Sequence, residues 1–523
     1  MTTDLATRLE QPWDLVVVGG GITGAGIALE AARAGWHVLL VEQRDFAWGT
    51  SSRSSKLVHG GLRYVRQGQL GLTRESVHER ERLLRTLPGL VTPLGFVFPL
   101  YRGARPGRWL LQAGLAVYDA LAGQWRRHFQ PVDALRLLAP HIAQAGLEGA
   151  MCYQDAQTDD ARLVLRVLQE AQALGAVAVN YLAADELLRD STGTLRGVRV
   201  RDARDGQTHT VHCPLVVNAT GAWADRLRVQ QGARARLRPL RGSHLVLPGW
   251  RLPLAQAISW MHQQDGRPVF AIPWEGATLV GTTDLDHRAN LQQEAAITPA
   301  EVRYLLGAVQ HRFPSLALTQ ADIRSTFAGV RPVIDTGKVD PSQEGRDHAV
   351  WMEQGLLTVT GGKLTTFGRI AQDALHTLKP LLPAPRVQAT HGSGAPAAPC
   401  RVPVGTDAAL WQRLHGRYGA LAAQVLACAQ PGDCSRIEGT PVYGVELRWA
   451  ARHEAVLHLD DLLLRRTRLG LLLPGGGAEL LSRVRLWCQS ELGWDDARWA
   501  REVADYQTLW QRHYSVPHED FHG

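Results

Sequence analysis

The sequence has few cysteines, and they form no metal-binding or disulfide pattern. There are six in 523 residues, and no two of them form a C-x-x-C pair. Zinc sites and disulfide frameworks depend on recognisable cysteine spacings. We therefore expect no metal site, and we expect the cysteines to be reduced thiols. The six are Cys152, Cys213, Cys400, Cys428, Cys434 and Cys488.

Long apolar runs are also missing. No stretch approaches the roughly 20 apolar residues that a membrane-spanning helix needs. The N-terminal sequence MTTDLATRLEQPW has an early acidic residue and no apolar core, so it does not resemble a secretory signal. The first apolar strand follows directly, which leaves no room for a long transit peptide. These absences predict a cytoplasmic location.

Acidic residues are too few to balance the basic ones. The formal net charge is +7 and the isoelectric point is about 9.2. A basic surface that simply faces water is the ordinary interpretation. The other is an anionic partner, which would be a phosphorylated substrate, acidic lipid headgroups or nucleic acid. Charge alone does not choose between them, and the length indicates two or three lobes.

A glycine-rich turn follows the first apolar strand. The strand DLVVV ends at Val18, and Gly19, Gly21 and Gly24 then form a G-x-G-x-x-G motif before an alanine-rich helix. A second strand, HVLLVE, ends at Glu42, where an acidic side chain can bind ribose hydroxyls. The three glycines permit a tight turn, close approach of a pyrophosphate and close helix packing, respectively. This unit predicts dinucleotide binding. Its N-terminal position and Glu42 favour FAD over NADP.

The rest of the chain contains both helical and strand patterns. Helical periodicity appears near residues 75–87, 108–121 and 161–174, and short strand-like runs fill the middle of the chain. Another strand, LLTVTGG, covers residues 356–362. The sequence HGSGAPAAP at 391–399 is typical of a linker, and the patterns beyond it are mostly helical.

These patterns predict an α/β fold class with three parts. The parts are a Rossmann-type FAD-binding lobe, a mixed-sheet substrate-binding lobe that caps the flavin, and a helical C-terminal domain. We expect the FAD-binding lobe to comprise residues 1–90 with part of 150–225 and 328–385, the substrate-binding lobe 91–150 and 226–327, and the C-terminal domain 400–523.

The segment GTSSRSSKLVHGGLRYV, residues 49–65, is rich in hydroxyl and basic groups and has little apolar periodicity. Its hydroxyls can donate to a flavin or a pyrophosphate, or they can cap local turns. Lys56 and His59 can offer a donor or a positive charge to the flavin, or lie on a solvated loop. Gly60 and Gly61 allow the backbone to pass close to a flat ring. The hydroxyl residues are Thr50, Ser51, Ser54 and Ser55.

This segment resembles the one that follows the second strand in FAD-dependent glycerol-3-phosphate dehydrogenases. The resemblance extends over nearly the whole chain, and several motifs in the same order make it specific. They are YQDAQTDDARLVL (153–165), NATGAWAD (218–225), RGSHLVLP (241–248), AIPWEGATLVGTTD (271–284), AGVRP (328–332), GGKLTT (361–366) and HLDDLLLRRTRLGL (458–471).

The resemblance implies a reaction. The chain would oxidise sn-glycerol 3-phosphate to dihydroxyacetone phosphate by hydride transfer from C2 to flavin N5. The electrons would pass to a membrane quinone, either ubiquinone or menaquinone. The residues that the motif and the resemblance give as cofactor contacts are Gly19, Gly20, Gly21, Thr23, Gly24, Glu42, Gln43, Thr50, Ser51, Ser54, Ser55, Lys56, Leu57, His59, Ala219, Gly221, Asp284, Gly362, Lys363, Leu364 and Thr365.

The resemblance also implies catalytic roles. Arg63 and Tyr64 would face the substrate, and Arg331 would bind its phosphate through a bidentate guanidinium. Lys363 would lie beside the flavin. The general base needs a group that titrates near neutral pH. His244 is the expected base because the family carries a histidine there; His59 is the alternative, and a network with Lys363 stays open.

Three other functions share parts of this pattern. An oxygen-reducing glycerophosphate oxidase would use the same first half-reaction, but family oxidases often carry a central insertion that is not obvious here. An amine or amino-acid oxidase would need a carboxylate clamp. A flavoprotein that modifies tRNA would need a basic stripe or a stacking platform. The arginines here are spread out, so we expect no nucleic-acid partner.

A quinone acceptor would place the protein on an anionic membrane surface. The family's bacterial members are peripheral inner-membrane enzymes, so the resemblance implies attachment to the cytoplasmic face; a homodimer is left open. Two regions mix apolar residues with arginine as interfacial segments do, although ordinary packed helices would do the same. The first contains Phe98, Leu100, Arg102, Arg105, Arg108, Trp109, Leu110, Leu111, Trp125, Arg126 and Arg127, and the tail contains Trp449, Arg465, Arg466, Arg468, Trp487 and Trp499.

Overall fold

The computed structural model describes residues 5–66, 68–341, 344–345, 347–386 and 401–517, and the predicted linker at 391–399 lies outside them. The strands are β1 (Leu15–Val18), β2 (Val38–Val41), β3 (Leu57–Val58), β4 (Val91–Tyr101), β5 (His128–Gln130), β6 (Leu147–Thr158), β7 (Val177–Val179), β8 (Leu182–Arg189), β9 (Leu195–Asp202), β10 (Thr208–His212), β11 (Val216–Asn218), β12 (Leu237–Pro248), β13 (Ala257–Met261), β14 (Pro268–Trp274), β15 (Ala277–Gly281), β16 (Leu285–Asp286), β17 (Ser325–Ile334), β18 (His348–Glu353) and β19 (Leu356–Gly361).

The helices occur between the strands and dominate the end of the chain. They are α1 (Leu5–Leu9), α2 (Ile22–Arg33), α3 (Leu62–Arg66), α4 (Leu70–Thr86), α5 (Arg108–Ala122), α6 (Val132–Leu138), α7 (Asp160–Ala173), α8 (Ala224–Val229), α9 (Pro299–Arg312), α10 (Phe367–Leu378), α11 (Ala408–Tyr418), α12 (Ala422–Ala427), α13 (Gly444–His453), α14 (Leu469–Leu472), α15 (Leu481–Leu492) and α16 (Asp496–His513), with a π-helix at Asp461–Arg466 before α14.

A six-stranded sheet in the order β18-β19-β11-β1-β2-β7 carries the glycine-rich turn. Its strands are parallel except for β18, and β1 and β2 are wholly buried, as central parallel strands are. Leu15 and Val17 join the core formed with α2, α7 and α10, while Val16 and Val18 face the core shared with the β10-β9-β8 sheet. This is the predicted β-α-β unit.

A ten-stranded mixed sheet forms the second layer, with β12 near one end of the strand order. β12 pairs antiparallel with β15, β16 and β17, and only the β4–β13 pair is parallel. In this register His244 lies opposite Gly281 of β15 and Phe327 of β17. The predicted α/β fold class, with a mixed sheet and a helical C-terminal part, is confirmed. The division of the chain into lobes stays a prediction.

The C-terminal helices dock on the first lobe through buried ion pairs. Asp45 accepts from Arg466 Nη1 at 2.6 Å and also pairs with Arg465, while Arg468 Nε lies 2.9 Å from Asp159. All three arginines are no more than 2% exposed, and Trp449, Trp487 and Trp499 are buried too. The predicted membrane face in the tail is therefore wrong. Its arginines pair with carboxylates far away in the sequence, which charge patterning within the tail cannot reveal.

Candidate active site

A large cleft opens at the carboxyl edge of the six-stranded sheet. Its volume is about 1180 Å³. The ends of parallel strands meet at one edge, where open α/β sheets bind ligands. Residues after β1, β2, β11 and β19 accordingly line the cleft, together with the segment that contains Ser51. The predicted cofactor residues in the lining are Gly19, Gly21, Thr23, Glu42, Gln43, Thr50, Ser51, Ser54, Ala219, Gly221, Gly362, Lys363 and Leu364.

The three motif glycines have different surroundings. Gly19 has a φ of +115°, and a Cβ there would lie 2.5 Å from the carbonyl oxygen of Ala219. A Cβ on Gly24 would lie 1.9 Å from the carbonyl oxygen of Gly19, so only glycine lets the helix pack this close. Around Gly21 the nearest atom is Ser51 Oγ at 3.1 Å, and Gly21 itself lines the cleft. A side chain at Gly21 would thus project towards a ligand.

Glu42 is fixed by two main-chain donors. The Gly20 N–H donates to Oε2 at 2.7 Å, and the Arg44 N–H donates to Oε1 at 2.9 Å. Burial raises the pKa of Glu42 despite these hydrogen bonds. A carboxylate accepts about four hydrogen bonds, so the two oxygens keep capacity for hydroxyl groups of a ligand. Gly20 therefore supports Glu42, and it lies outside the cleft lining.

The hydroxyls of the 50–55 segment bind protein groups. Thr50 Oγ1 donates to the Val330 carbonyl at 2.5 Å, and Ser54 Oγ donates to Asp160 at 2.7 Å. Ser51 Oγ accepts from the Ile22 N–H at 3.0 Å and keeps its own proton for a second partner. Thr50 and Ser54 therefore line the cleft while their hydroxyls donate to protein groups, and their contact with the cofactor stays a prediction. Their acceptors come from distant elements.

Lys56 is an internal cation, and the expectation that it faces the flavin is wrong. It is fully buried, and its Nζ lies 2.9 Å from Asp160 and 2.7 Å from the Ser52 carbonyl. It also lies 4.6 Å from the ring centroid of Phe327. Burial lowers the pKa of Lys56 to about 8. Asp160 therefore organises the segment, because it also accepts from the Ser54 N–H at 2.9 Å.

Lys363 lines the cleft and contacts Tyr64, and its charge acts on His59, which lies outside the lining. Lys363 Nζ donates to Ser76 Oγ at 2.7 Å and lies 4.0 Å from the Tyr64 ring centroid. Burial lowers the pKa of Lys363 to about 8 and also lowers the pKa of His59. The N–H and carbonyl groups of His59 both bond Thr365 Oγ1, at 3.1 and 3.3 Å. Arg63 belongs to α3, but its side chain lies outside the described residues.

The glycines beside His59 do not serve a flat ring as expected. A Cβ on Gly60 would lie 2.4 Å from the Tyr118 hydroxyl, and one on Gly61, where φ is +78°, would lie 2.1 Å from the Tyr64 ring. The Gly60 N–H also donates to Asp155 at 3.1 Å. These two glycines therefore accommodate protein side chains.

His244 lies deep in the ten-stranded sheet. Its Nε2 is 2.8 Å from Ser55 Oγ, and its ring stacks on Phe327 with centroids 4.6 Å apart. Burial lowers the pKa of His244 well below its usual value, and the charges of Arg331 and Lys56 lower it further. The ring is therefore neutral at physiological pH and able to accept a proton. Within the described part of the chain, Nδ1 has no hydrogen-bond partner.

Arg331 is held in place by residues of the loop between β15 and β16. Its Nη1 lies 3.0 Å from Asp284 Oδ1, and its Nη2 donates to Thr282 Oγ1 at 3.0 Å. Asp284 is buried in this ion pair, so the structure gives it a partner other than the cofactor predicted for it. Pro332, directly after Arg331, lines the cleft. The guanidinium is thus anchored beside the end of the cleft.

Some predicted residues lie outside the cleft lining, and some lining residues were missed. Of the described residues predicted to bind the cofactor, Gly20, Gly24, Ser55, Lys56, Leu57, His59, Asp284 and Thr365 lie outside. Leu57 is buried in β3, opposite Gln157. The missed lining residues are Val18, Ile22, Trp48, Gly49, Ala184, Thr220, Trp223, Arg226, Leu227, Pro332 and Gly361. Two of them, Trp48 and Trp223, could have been suggested by the sequence. Trp48 directly precedes the 49–65 segment, and Trp223 lies within the motif NATGAWAD.

Comparison with known proteins decides the family. The family model described as FAD dependent oxidoreductase matches residues 14–367, and the model for the C-terminal domain of alpha-glycerophosphate oxidase matches residues 360–499. Glycerol-3-phosphate dehydrogenase 2 of Mycobacterium tuberculosis is 38% identical over 523 residues, which cover 95% of this chain and 88% of that protein. The chain belongs to the FAD-dependent glycerol-3-phosphate dehydrogenase family. The predicted family and the predicted cofactor, FAD, are both confirmed.

Two further relatives agree with this assignment. Aerobic glycerol-3-phosphate dehydrogenase of Staphylococcus aureus is 35% identical over 489 residues, which cover 87% of this chain and 86% of that protein. The X-ray structure of the glycerol-3-phosphate dehydrogenase from Bacillus halodurans complexed with FAD superposes with a TM-score of 0.75 at 28% identity. That match covers 97% of this chain and 96% of that one.

The cleft has the properties that FAD requires. The open side of Gly21 leaves room for a pyrophosphate at the start of α2, where the helix dipole favours anions. Glu42 would hold the ribose hydroxyls, and the wall with Lys363 and Leu364 would hold the flavin. The bound flavin would supply the two-electron acceptor.

Among the described residues, no group of histidine, cysteine and carboxylate side chains could hold a metal ion. None of the described helices combines the length and apolar character needed to cross a membrane.

Proposed function

We propose that the chain oxidises sn-glycerol 3-phosphate to dihydroxyacetone phosphate. A hydride would leave C2 for flavin N5, and the electrons would pass to a membrane quinone. The observation that carries this proposal is the placement of two cations and a neutral imidazole near one cleft. Pro332, next to Arg331, and Lys363 both line the cleft, and the charge of Arg331 acts on the buried ring of His244.

Charge supports a phosphorylated substrate. Arg331 is paired with Asp284, and Lys363 donates to Ser76 and lies against the Tyr64 ring, with the charges of Asp347 and Glu75 also acting on it. A phosphate would be attracted by these two cations. Guanidinium groups bind phosphate in a bidentate manner, and a partly buried site strengthens that contact. Glycerol without its phosphate would gain nothing from this arrangement.

Proton chemistry supports oxidation of an alcohol. The hydroxyl on C2 must lose its proton as the hydride leaves, so a neutral base is needed nearby. His244 is kept neutral by burial and by the charges of Arg331 and Lys56. His59 is the alternative base, since burial keeps it neutral as well. A bound phosphate dianion would offset the charge of Arg331 and make protonation of His244 easier.

A spectral titration tests the reaction. The purified holoenzyme should lose its flavin absorbance when sn-glycerol 3-phosphate is added without oxygen, and glycerol at the same concentration should leave the spectrum unchanged. Bleaching by glycerol, or none by its phosphate, would overturn the proposal. The reduced enzyme should then be reoxidised faster by a ubiquinone or menaquinone analogue than by oxygen. Faster reoxidation by oxygen would make the chain a glycerophosphate oxidase.

An exposed apolar face supports attachment to a membrane. Helix α5 buries Leu111 and Leu115 on one side, yet Trp109 and Leu110 on another side are 76% and 70% exposed. Trp125, just after the helix, is 69% exposed. We call these three exposed residues and the arginines around them the α5 face. Its arginines are Arg102, Arg105, Arg108, Arg126 and Arg127.

The composition of the α5 face fits an anionic lipid surface. Tryptophan is favoured at the level of the headgroups, and each arginine near an anionic leaflet contributes about 1 kcal/mol. Two arginines of this face have acidic partners: Arg102 lies 3.6 Å from Glu148, and Arg127 Nη1 lies 3.0 Å from Asp119. Among the described residues, Arg105, Arg108 and Arg126 form no ion pair. The face therefore replaces the tail as the proposed contact with the cytoplasmic side of the inner membrane, where quinones are dissolved.

A further inference from the structure

His244 is sealed inside the protein, so a substrate hydroxyl cannot reach its ring directly. The residue is 1% exposed, one face of the ring is covered by Phe327, and Gly281 lies against its edge. The contact that leads outward is the one between Nε2 and Ser55 Oγ, which are 2.8 Å apart. Any proton that arrives at Nε2 must come through that hydroxyl.

Ser55 adjoins the cleft without lining it. It is half-buried, whereas His244 is fully buried, and the preceding residue, Ser54, lines the cleft. Pro332, next to Arg331, lines the same cleft, so the segment that carries Ser55 and the proposed phosphate-binding residue border one space. A serine hydroxyl donates one hydrogen bond and accepts two, so it can receive one proton while it gives up another.

We propose that Ser55 relays the substrate proton to His244. This proposal rests on the proposed function. The proton of the C2 hydroxyl passes to Ser55 Oγ, and the proton of Ser55 passes to His244 Nε2. The C2 hydride goes to the oxidised flavin. The substrate thus loses one proton and one hydride, the imidazole becomes imidazolium, and the serine ends as it began.

The segment around Ser55 is rigid enough for such a relay. Ser54 is fixed to Asp160 through its N–H at 2.9 Å and its hydroxyl at 2.7 Å, and Lys56 Nζ lies 2.9 Å from the same carboxylate. Ser55 is therefore clamped between two anchored neighbours. The charged groups that face His244 are Arg331 and Lys56, and both oppose a lasting imidazolium. The proton must consequently leave again after each turnover, as a relay requires.

Replacement of the hydroxyl tests the relay in the holoenzyme. Ser55→Ala should slow flavin reduction by sn-glycerol 3-phosphate by about 100-fold or more, which is the usual loss when a proton-transfer group is removed. FAD content and the dissociation constant of dihydroxyacetone phosphate, read from the flavin spectrum, should stay within twofold of wild type. Ser55→Thr keeps the hydroxyl and should restore most of the rate. Ser52→Ala, on the same segment, is the matched control and should behave as wild type.

A second measurement separates a relay from a structural role. The rate of flavin reduction is measured in mixtures of H₂O and D₂O and plotted against the deuterium fraction. The wild-type plot should be curved, because two protons move together, and the Ser55→Ala plot should be a straight line. Flavin reduction by Ser55→Ala at the wild-type rate, a straight wild-type plot, or loss of FAD from the variant would each overturn the relay. Failure of the wild type to bleach would instead overturn the proposed function.

Discussion

Two glycines of the ten-stranded sheet leave room for the proposed phosphate-binding and base residues. A Cβ on Gly242 would lie 2.1 Å from Arg331 Nη2, and a Cβ on Gly281 would lie 2.2 Å from His244 Cδ2. Gly242→Ala should therefore displace the guanidinium and raise KM for glycerol 3-phosphate roughly tenfold, as loss of a charged hydrogen bond does. Gly281→Ala should turn the imidazole and lower kcat about 100-fold.

Steady-state kinetics check whether Gly242→Ala acts mainly on KM and Gly281→Ala mainly on kcat. FAD content should be normal in both, because neither glycine lines the cleft. Gly307→Ala in α9 is the matched control, since a Cβ there meets nothing closer than 4.0 Å. Identical changes of KM and kcat in Gly242→Ala and Gly281→Ala would contradict separate roles for the two neighbouring side chains.

We expect Lys363 to make the activity decrease at alkaline pH. Burial lowers its pKa to about 8, so it is a cation below that pH and neutral above it. The value of kcat/KM for glycerol 3-phosphate, which reports the free enzyme, should therefore fall as the pH rises through about 8. Lys363→Arg, whose guanidinium stays charged, should lose this alkaline decrease. A decrease that persists unchanged in Lys363→Arg would assign it to another group.

Residue types predicted the location of the 49–65 segment better than its contacts. Hydroxyl and basic groups without apolar periodicity indicated a cofactor wall, and several of them do line the cleft. The partners of Ser54 and Ser55 are Asp160 and His244, more than 100 residues away. A local sequence pattern cannot identify such partners, and Lys56 was assigned to the flavin for the same reason.

At the scale of elements, α7 connects the flavin wall with the C-terminal domain. Asp159 and Asp160 stand at its N-terminus, and Arg468 reaches both of them from the segment after the π-helix. Arg468→Met would leave two buried carboxylates short of one cation, which typically costs 3–5 kcal/mol. We expect a loss of about this size in the free energy of unfolding, and weaker FAD retention because Asp160 anchors Ser54.

Denaturant unfolding of the holoenzyme measures the free energy of unfolding. The flavin content after gel filtration measures FAD retention. The matched control is Arg485→Met, whose ion pair with Asp496 lies at the surface. Exposed pairs contribute about 0–1 kcal/mol, so this variant should change little. Equal unfolding free energies for Arg468→Met and Arg485→Met would mean that the buried cluster does not stabilise the domain contact.

The β-α-β unit was predictable because its signals are local. Apolar strands, a glycine motif and an alanine-rich helix occur in succession within residues 14–42, and each appears where expected. The ten-stranded sheet was not predictable in the same detail. Its pairings, such as β12 with β17 and β3 with β6, join strands about 80 to 100 residues apart. Alternation predicts that such strands exist, while their partners depend on the whole fold.

At the scale of the molecule, the basic charge is divided between a buried set and an exposed set. Arg465, Arg466 and Arg468 form internal ion pairs. Arg102, Arg105 and Arg108, by contrast, are exposed near Trp109 in the sequence. The two regions look alike in the sequence, because both mix arginine with aromatic residues. Burial separates them, and only the α5 face is available to an anionic surface.

A flotation assay tests the α5 face as the membrane contact. The holoenzyme should rise with liposomes that contain anionic lipid at low salt and be partly released at high salt, because screening weakens the arginine contribution. A variant with Trp109, Leu110 and Trp125 changed to serine should stay at the bottom of the gradient while glycerol 3-phosphate still bleaches its flavin. Trp250→Ser is the matched control, since Trp250 is 75% exposed after β12, and it should float as the wild type does. A triple variant that floats normally would exclude the α5 face, and a wild type that never floats would favour a soluble acceptor or oxygen over a membrane quinone.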